Sequence, residues 1–481
     1  MHMLKRTISL ALCLLMVLSL TACSITTGGE EGSEYYVESY VTEAVESEDE
    51  DTDADASSKK NNSSKKNNSS KKNNSSKKTP SEKVSVESVD NTQTAGRFDV
   101  NYSGKTAKLL VWYTPQAWEQ AIYDAWEKQT GGKVKLIHVK DSTLVFQKLT
   151  ALIAANDAPD ATAMNIDSFP SFIVKKLGQP LTKYIDRSKD TWLAYELMDE
   201  LKYNNEYYGI TDHFWGHTTF VYFNKKIFGS STKVKKTPLD YYKEGNWTWD
   251  TFYELAKNLT VVDGGNTTQF GAMMEDMGSF ARSAGARVVT PKNGTFTNMI
   301  NSKELKDAYT FTQKIIGDGY LTKNSGNWTR GNVAMYVDAQ YAIRVENSMW
   351  KDANFEWDWV PFPSYTGGKS YQPIQIQVGI VPRKAKNPEM GYNLINFRAY
   401  YQEEMKATSQ SNKEWLERWK KAVTGPTCSS IEAGIMGNSI YNLYGELADP
   451  TKPIATTIDT WKTAVDGKIE TYEKDKAAYK F

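Results

Sequence analysis

The stretch Leu109-Leu110-Val111-Trp112 decides the fold, because a short and wholly apolar run of this kind indicates a buried strand. Apolar residues then recur at helical spacing from Pro115 to Lys128, and Thr130-Gly131-Gly132 ends that helix. Strands and helices that alternate at this spacing predict an α/β fold with a parallel sheet and helices on both faces. The further elements predicted are a strand from Lys133 to Val139, a helix from Leu144 to Ala155 and a strand from Ala161 to Ile166.

Polar and aromatic residues follow the first and third of these strands. Trp112, Tyr113 and Thr114 come directly after the first strand, and Asn165 and Asp167 lie at the end of the third. In open α/β sheets, ligands bind beyond the carboxyl ends of the strands. We therefore expect a binding site at this edge of the sheet.

The N-terminal segment has the features of an export signal. Lys5 and Arg6 precede an apolar run from Ile8 to Leu20 that is too short to span a bilayer. Leu20-Thr21-Ala22-Cys23 resembles the lipobox of bacterial lipoproteins. That resemblance implies a signal peptide over residues 1–22, lipidation of Cys23, and a protein anchored on the extracellular face of the membrane of a Gram-positive-type bacterium.

A plain secretory signal, with Cys23 incidental, is the alternative. Cys13 lies inside the apolar run and would be removed with it, so Cys428 is the one other cysteine of the mature chain. An exported chain with a single further cysteine has no internal disulfide framework, which favours a separate role for Cys23.

Residues 23–96 are predicted to be a disordered tether. Twelve acidic residues and no basic one lie between Glu30 and Asp55, and the hexamer Ser-Ser-Lys-Lys-Asn-Asn repeats from Ser57 to Lys78. Such segments bury too little apolar surface to offset the entropy of ordering. A flexible tether of about 74 residues has a root-mean-square reach of about 45–50 Å.

The charge balance and the length of the chain after residue 22 exclude some classes of function and predict its domain organisation. Residues 1–22 hold two basic residues and no acidic one, which leaves 56 basic and 58 acidic residues in the rest of the chain. That balance gives no basic surface for a nucleic acid. No later apolar run is long enough for a second membrane span, and residues 97–481 are too many for one ordinary core, so two lobes are expected.

Short motifs follow in a fixed order along the rest of the chain. They are Gly131-Gly132-Lys133-Val134, Pro159 to Asp167, Leu177 to Leu181, Tyr207 to Ile210, Tyr222 to Phe228, Trp249 to Phe252, Arg330 to Met335, Trp359 to Pro363, and Gly379 to Val381. The series resembles the extracellular solute-binding proteins of bacterial ABC importers, in the sugar-binding group that includes the maltose-binding proteins. The resemblance covers essentially all of residues 108–481.

This resemblance implies a two-lobed, periplasmic-binding-protein-like fold (type II) with a hinge between the lobes. Lobe 1 would comprise about 105–212 and part of the region after 370, lobe 2 about 213–368, and C-terminal helices would run to 481. The cleft between lobes would capture a sugar or oligosaccharide by hinge closure and deliver it to the ABC permease subunits. The family implies a monomer without cofactor and without catalytic activity.

A sugar presents hydroxyl groups and apolar C–H faces, so its site needs short polar groups and flat aromatic rings. Tyr341 falls ten residues after Gly331, where relatives often carry a stacking aromatic. The resemblance and the strand exits together predict ten ligand-binding residues: Tyr113, Gln116, Asp167, His213, Trp215, Asp338, Gln340, Tyr341, Gln375 and Gln377.

Several aromatic residues also have a purely structural interpretation. Trp112 and Trp118 fit core packing, and Trp247 and Trp249 fit a helix start capped by Thr248. Trp357 and Trp359 alternate with polar residues, as in a half-buried strand.

Metal and enzyme chemistry find little support in the sequence. His213 and His217 have the i, i+4 spacing of metal ligands on a helix, but Gly216 argues against a helix there, so no metal site is predicted. The motifs G-x-S-x-G and H-E-x-x-H do not occur. A glycosidase needs only two carboxylates at a set distance. A surface glycoside hydrolase therefore stays open, as does the same fold serving a non-sugar solute or a sensor partner.

Overall fold

The structure is a computed structural model that describes residues 94, 96–115, 117–323, 328–340, 353–408 and 413–478, without the side chains of 117 and 402–408. The predicted signal peptide, Cys23 and nearly all of the tether lie outside the described residues, as do two of the predicted ligand-binding residues, Gln116 and Tyr341. The described residues all belong to the unit Pro80–Phe481.

The strands in chain order are β1 (Thr106–Val111), β2 (Lys133–His138), β3 (Ala161–Asn165), β4 (Lys202–Tyr203), β5 (Glu206–Tyr207), β6 (Gly216–Asn224), β7 (Val261–Asp263), β8 (Asn266–Met274), β9 (Val289–Lys292), β10 (Thr295–Asn298), β11 (Leu321–Thr322), β12 (Val333–Ala339), β13 (Trp357–Pro361), β14 (Gln372–Ile380) and β15 (Thr427–Ser429).

The helices are α1 (Ala117–Thr130), α2 (Thr143–Ala154), α3 (Phe169–Val174), α4 (Tyr195–Met198), α5 (Lys225–Ser230), α6 (Pro238–Lys243), α7 (Trp249–Leu259), α8 (Ser279–Ser283), α9 (Lys303–Gly317), α10 (Pro388–Thr408), α11 (Lys413–Val423), α12 (Ala433–Met436), α13 (Ser439–Ala448) and α14 (Ile454–Ala478). Short 3-10 helices span Ile166–Ser168, Thr182–Tyr184 and Asp199–Leu201. Within the described ranges, no helix combines the length and the apolar character that crossing a bilayer requires.

The opening β-α-β-α-β unit agrees with the prediction to within a few residues at each boundary. β1 pairs in parallel with both β2 and β3. The predicted parallel pairing of these strands is confirmed. Beyond them the sheet is mixed, because β14 returns antiparallel to β3 and then pairs antiparallel with β6. The strand order is β11-β8-β12-β6-β14-β3-β1-β2, with β13 beside β6, β15 beside β14 and β7 beside β8.

Two hydrophobic cores lie on either side of the β6–β14 pair. The first lobe is built on β1–β3 with α1 and α10, and includes Leu110, Trp126 and Phe397. The second lobe is built on β8 and β12 with α7, α9, α13 and α14, and includes Phe252 and Met335. The α/β fold is confirmed, and each lobe has its own apolar interior.

A third cluster of buried residues joins β6, β12 and β13 to α11. Its members include Phe214, Phe220, Trp359 and Trp419. Phe220 and Trp359 stack with their ring centroids 4.2 Å apart. Trp359 is therefore a core residue, as the half-buried strand pattern allowed, and α11 is fixed to the second lobe by aromatic packing.

In the second lobe, the local sequence at Thr248 determines where α7 begins. Thr248 and Thr251 cap each other's backbone N–H groups, which satisfies donors that the first helical turn leaves free. On α7 the buried residues Trp249, Phe252 and Leu255 follow at helical spacing. The predicted packing role of Trp249 and the cap at Thr248 are confirmed.

Candidate ligand-binding cleft

Two antiparallel strands cross side by side between the lobes. Within this crossing His217 lies opposite Gln375, and Gly216 lies opposite Ile376. Further along, β6 pairs with β12 of the second lobe while β14 pairs with β3 of the first. Relative rotation of the lobes must therefore bend this strand pair, which places the hinge here.

Gly216 is required by the closeness of the crossing. Its φ of 150° is one that residues with a side chain rarely adopt, and an added Cβ would lie 2.2 Å from the Gln375 carbonyl oxygen. Glycine is the residue that lets two backbones approach this closely.

Gln340 completes the hydrogen bonding of the crossing. Its side-chain amide donates to the carbonyl of Gly216, and its Oε1 accepts from the N–H of Thr218 at 3.2 Å. The side chain is fully buried. Because β12 pairs with β6 only from Thr219 onward, the Gln340 side chain takes the place of the next ladder pair.

A cavity of about 440 Å³ opens beside the crossing strands. One wall is the crossing itself, and the others come from the second lobe and from the segment that includes α12 and α13. Its described lining residues are His217, Thr219, Glu275, Asp276, Ser279, Arg282, Val337, Asp338, Ala339, Ile374, Gln375, Ser430, Glu432, Ala433, Ile440, Tyr441 and Tyr444.

Three carboxylates enter the cavity from neighbouring strand ends. β8 and β12 are parallel, with Val337 opposite Met274. Asp338 lies at the end of β12, and Glu275 and Asp276 follow directly after β8. These carboxylates lie at or beyond the carboxyl ends of parallel strands, where open α/β sheets bind ligands.

The surroundings of Asp338 disfavour the ionised form of its carboxyl group. Burial raises the pKa of its carboxyl, and the neighbouring carboxylates of Glu275 and Asp276 raise it further. The backbone N–H of Ala339 opposes this by donating to Oδ1 at 2.7 Å. The carboxylates therefore repel one another across the cavity.

The floor of the cavity is a buried ion-pair network. The Arg282 guanidinium contacts the Asp276 carboxylate, and its Nη1 lies 3.5 Å from Oε1 of Glu432. Tyr444 donates to the same Glu432 oxygen at 2.8 Å. Glu432 is 1 % exposed, and burial raises the pKa of its carboxyl while Arg282 lowers it.

The first lobe reaches the margin of this cavity through Asp167. The turn that carries Asp167 packs against α12, where an added Cβ on Gly434 would lie 2.7 Å from the Asp167 carbonyl oxygen. Asp167 is half-buried, and burial raises the pKa of its carboxyl. Tyr441 stands near it with 61 % of its surface exposed, and after burial the Asp167 charge contributes to its raised pKa.

Three other predicted residues form a separate cluster inside the first lobe. Arg398 Nη2 donates to Tyr113 Oη at 2.7 Å and to Glu119 at 2.6 Å, and its guanidinium carbon lies 4.3 Å from the Trp215 ring centroid. Trp215 in turn donates to Gln377 Oε1 at 2.8 Å. Trp215 is 2 % exposed, so its ring offers no free face to a ligand in this conformation.

His213 lies outside both groups. Its Nδ1 is 3.2 Å from the Val423 carbonyl oxygen and 3.2 Å from Glu196 Oε1. In the described part of the chain, no group of three or more His, Cys, Asp or Glu side chains is arranged to hold a metal ion.

The structure thus brings Asp338 and Gln375 together at the cavity, with Asp167 at its edge. The residues that the sequence did not single out include Glu275, Asp276, Arg282, Glu432 and Tyr441. Glu275 and Asp276 follow an apolar strand, so the strand-exit rule had the signal to find them. Glu432 and Tyr441 come from a distant segment, and no local pattern marks them.

Comparisons with known proteins identify the family and the fold. A family profile described as bacterial extracellular solute-binding protein matches residues 112–397. No curated protein matches the chain significantly.

Solved structures share the fold at low sequence identity. An ABC substrate-binding protein from Listeria monocytogenes in complex with cycloalternan is 20 % identical over 76 % of this chain and 99 % of its own, with a TM-score of 0.57. An extracellular solute-binding protein from Staphylococcus aureus in complex with maltose is 16 % identical, covering 77 % and 99 %, with a TM-score of 0.60. UgpB from Mycobacterium tuberculosis in complex with glycerophosphocholine is also 16 % identical, covering 77 % and 99 %, with a TM-score of 0.58. These likenesses confirm the two-lobed, periplasmic-binding-protein-like fold.

Proposed function

The chain belongs to the bacterial extracellular solute-binding proteins, and from that premise we propose that it captures a sugar or oligosaccharide for an ABC importer. In this proposal the chain is a receptor without catalytic activity. It binds its ligand in the cleft at the β6–β14 crossing and delivers it to the permease subunits.

The observation that carries the proposal is the cavity beside the hinge strands. At about 440 Å³ it has the volume of a site for a small ligand. His217 and Gln375 contribute to it from the two crossing strands themselves. A ligand held there contacts the parts of the chain that must move relative to each other when the lobes close.

The chemistry of the lining suits a polyhydroxylated ligand. Carboxylates, amides and hydroxyl groups such as those of Asp338, Gln375 and Ser279 accept and donate hydrogen bonds to sugar hydroxyls. The exposed ring of Tyr441 supplies a flat apolar face for sugar C–H groups. The Listeria and Staphylococcus structures carry cycloalternan and maltose, which supports a saccharide for this chain.

Closure would follow from contacts that exist only in the closed state. A ligand that binds the open and closed states equally shifts nothing, so part of the affinity must come from groups that meet the ligand on closure. Asp167 of the first lobe, at the cavity margin, is suited to that role. The predicted residues Gln116 and Tyr341 belong to the same proposal.

Membrane attachment completes the proposed function. We propose that Cys23 is lipidated and that residues 23–96 tether the binding domain to the extracellular face of the membrane. The tether keeps the receptor at high local concentration near the permease it must dock onto. In this arrangement the binding domain, proposed to be a monomer of residues 97–481, moves within the reach of the tether.

A non-sugar solute is the second candidate, because UgpB shows that this fold also holds glycerophosphocholine. Thermal-shift measurements on the purified chain with mono- and oligosaccharides separate the two, since specific binding raises the melting temperature by mass action. We expect a concentration-dependent shift with at least one sugar. A shift with a phosphodiester, amine, peptide or metal and with no sugar would contradict the proposal, and cleavage of an oligosaccharide on prolonged incubation would indicate a hydrolase instead.

A further inference from the structure

The charges that line the cavity are strongly unbalanced. Four carboxylates belong to the described lining, those of Glu275, Asp276, Asp338 and Glu432. Arg282 is the one permanently charged cation among the described lining residues, and His217 supplies an imidazole. A neutral ligand would leave this excess of negative charge uncompensated.

Arg282 is already committed to the floor of the cavity. Its side chain is 5 % exposed and contacts both Asp276 and Glu432. In the described part of the chain, Glu275 and Asp338 take part in no ion pair. Burial is the largest cause of the raised pKa of Asp338, and the nearby charges of Glu275 and Asp276 raise it further.

Two buried polar atoms at the same place have no hydrogen-bond partner among the described residues. They are Oε2 of Glu432 and Oγ of Ser430. A buried acceptor without a donor is destabilising, because it has lost the hydrogen bonds that water would give it, and the penalty is larger when the acceptor is charged. Oε1 of Glu432 accepts from Tyr444 and lies near Arg282, so the second oxygen is the one that lacks a donor among the described residues.

An ammonium group on the ligand would offset the excess of carboxylates and would supply donors for the unpaired oxygens. It brings a positive charge that offsets the carboxylates, and it carries three N–H donors for oxygens such as those of Asp338 and Glu432. A sugar hydroxyl brings one donor and no charge. A phosphorylated or carboxylated sugar would add to the repulsion.

We infer that the solute captured in this cavity is a sugar that carries a protonated amine, an amino sugar or an oligosaccharide of amino sugars. This inference rests on the proposed function, because it takes the cavity as the sugar site. We assign the specificity to Asp338 and Glu275, because neither carboxylate forms an ion pair among the described residues.

The test compares sugars that differ at one substituent. Glucosamine, N-acetylglucosamine and glucose, with their β-1,4-linked oligomers, carry an amine, a neutral amide and a hydroxyl at the same carbon. Isothermal titration calorimetry on the purified full chain at about pH 6.5 keeps the amine protonated. We expect the amine form to bind at least tenfold more tightly than either neutral form.

Variants assign the preference to the cavity. Asp338→Asn and Glu275→Gln keep the shape of each side chain and remove its charge, and each is expected to reduce the preference for the amine several-fold. Asp459→Asn, on the exposed face of α14, is the matched control and is expected to leave the preference unchanged.

The outcomes distinguish this inference from the proposed function. If the neutral sugars bind as tightly as the amine, or if the preference survives both cavity variants, the inference is overturned while sugar capture stands. If none of these sugars binds and a non-sugar solute does, the proposed function and the inference fall together.

Discussion

Gln340 and Gln375 carry the same side chain at the β6–β14 crossing, and we predict different effects when each is replaced by alanine. Gln340 is fully buried and bonded to the backbone of Gly216 and Thr218. Gln375 is half-buried and faces the cavity. Gln340→Ala should lower stability, and Gln375→Ala should lower affinity.

The size of the first effect follows from the groups left unpaired. Gln340→Ala orphans one buried carbonyl and one N–H, each worth about 1–3 kcal/mol. We expect the free energy of unfolding to fall by about 3 kcal/mol in total. With an unfolding entropy of about 2 cal/mol/K per residue over a domain of this size, that loss lowers the melting temperature by about 4 °C. Gln375→Ala should cost less than about 1 kcal/mol of stability.

Thermal melting and calorimetric titration of both variants check this pair. For Gln375→Ala the loss of one hydrogen bond to the ligand should weaken binding about tenfold, or about 1.4 kcal/mol. If Gln340→Ala melts within about 1 °C of the unaltered chain and loses affinity instead, then Gln340 binds the ligand, and its proposed structural role at the strand crossing is refuted.

Three further predictions concern the hinge, the cavity and the second lobe. Gly216→Ala should destabilise the chain by about 3 kcal/mol or more in urea unfolding, because the new Cβ meets the Gln375 carbonyl. The control is Gly229→Ala, whose new Cβ meets nothing within 4 Å and which should cost far less stability. Equal effects of the two variants would show that the strands do not cross tightly at Gly216. Asp338→Asn should raise the melting temperature near neutral pH. Because burial raises the folded-state pKa of Asp338 above its ordinary value of 3.8, stability should fall as pH rises through that raised pKa, and the variant should lose this slope in melts from about pH 4 to 7; an unchanged slope would argue against a raised pKa of Asp338. Thr248→Ala should cost about 1 kcal/mol in urea unfolding through loss of the cap on α7, and no change would mean that the cap is dispensable there.

The first lobe was readable from the sequence because its signals are local. The signals of the apolar strand from Leu109, of the helical stripe after Pro115 and of the strand from Ala161 each lie within a few residues, and the structure shows β1, α1 and β3 there. The antiparallel return of β14 depends on a pairing between residues more than 200 positions apart, such as Gln377 with Asn165. No periodicity within either strand specifies that direction.

Part of the candidate site could be predicted from the sequence. The exit of a strand marked Asp167, which the structure places at the edge of the cavity, and the resemblance marked Asp338 and Gln375, which line it. Trp215 is an aromatic residue of the kind that stacks on sugars, but the Arg398 guanidinium lies over its ring and its indole N–H donates to Gln377. Glu432 and Tyr441 enter from the segment after α11, which only the tertiary packing of α12 and α13 brings to the cavity.

Whether the cavity beside the β6–β14 crossing captures a sugar is decided by calorimetric titration of the unaltered chain and of Asp338→Asn with the sugar that gives the largest thermal shift. We expect one saturable site per chain, weakened at least about tenfold in Asp338→Asn while the variant melts at the same temperature or higher. Sugar binding of unchanged affinity in Asp338→Asn would place the site outside this cavity and contradict the proposed function.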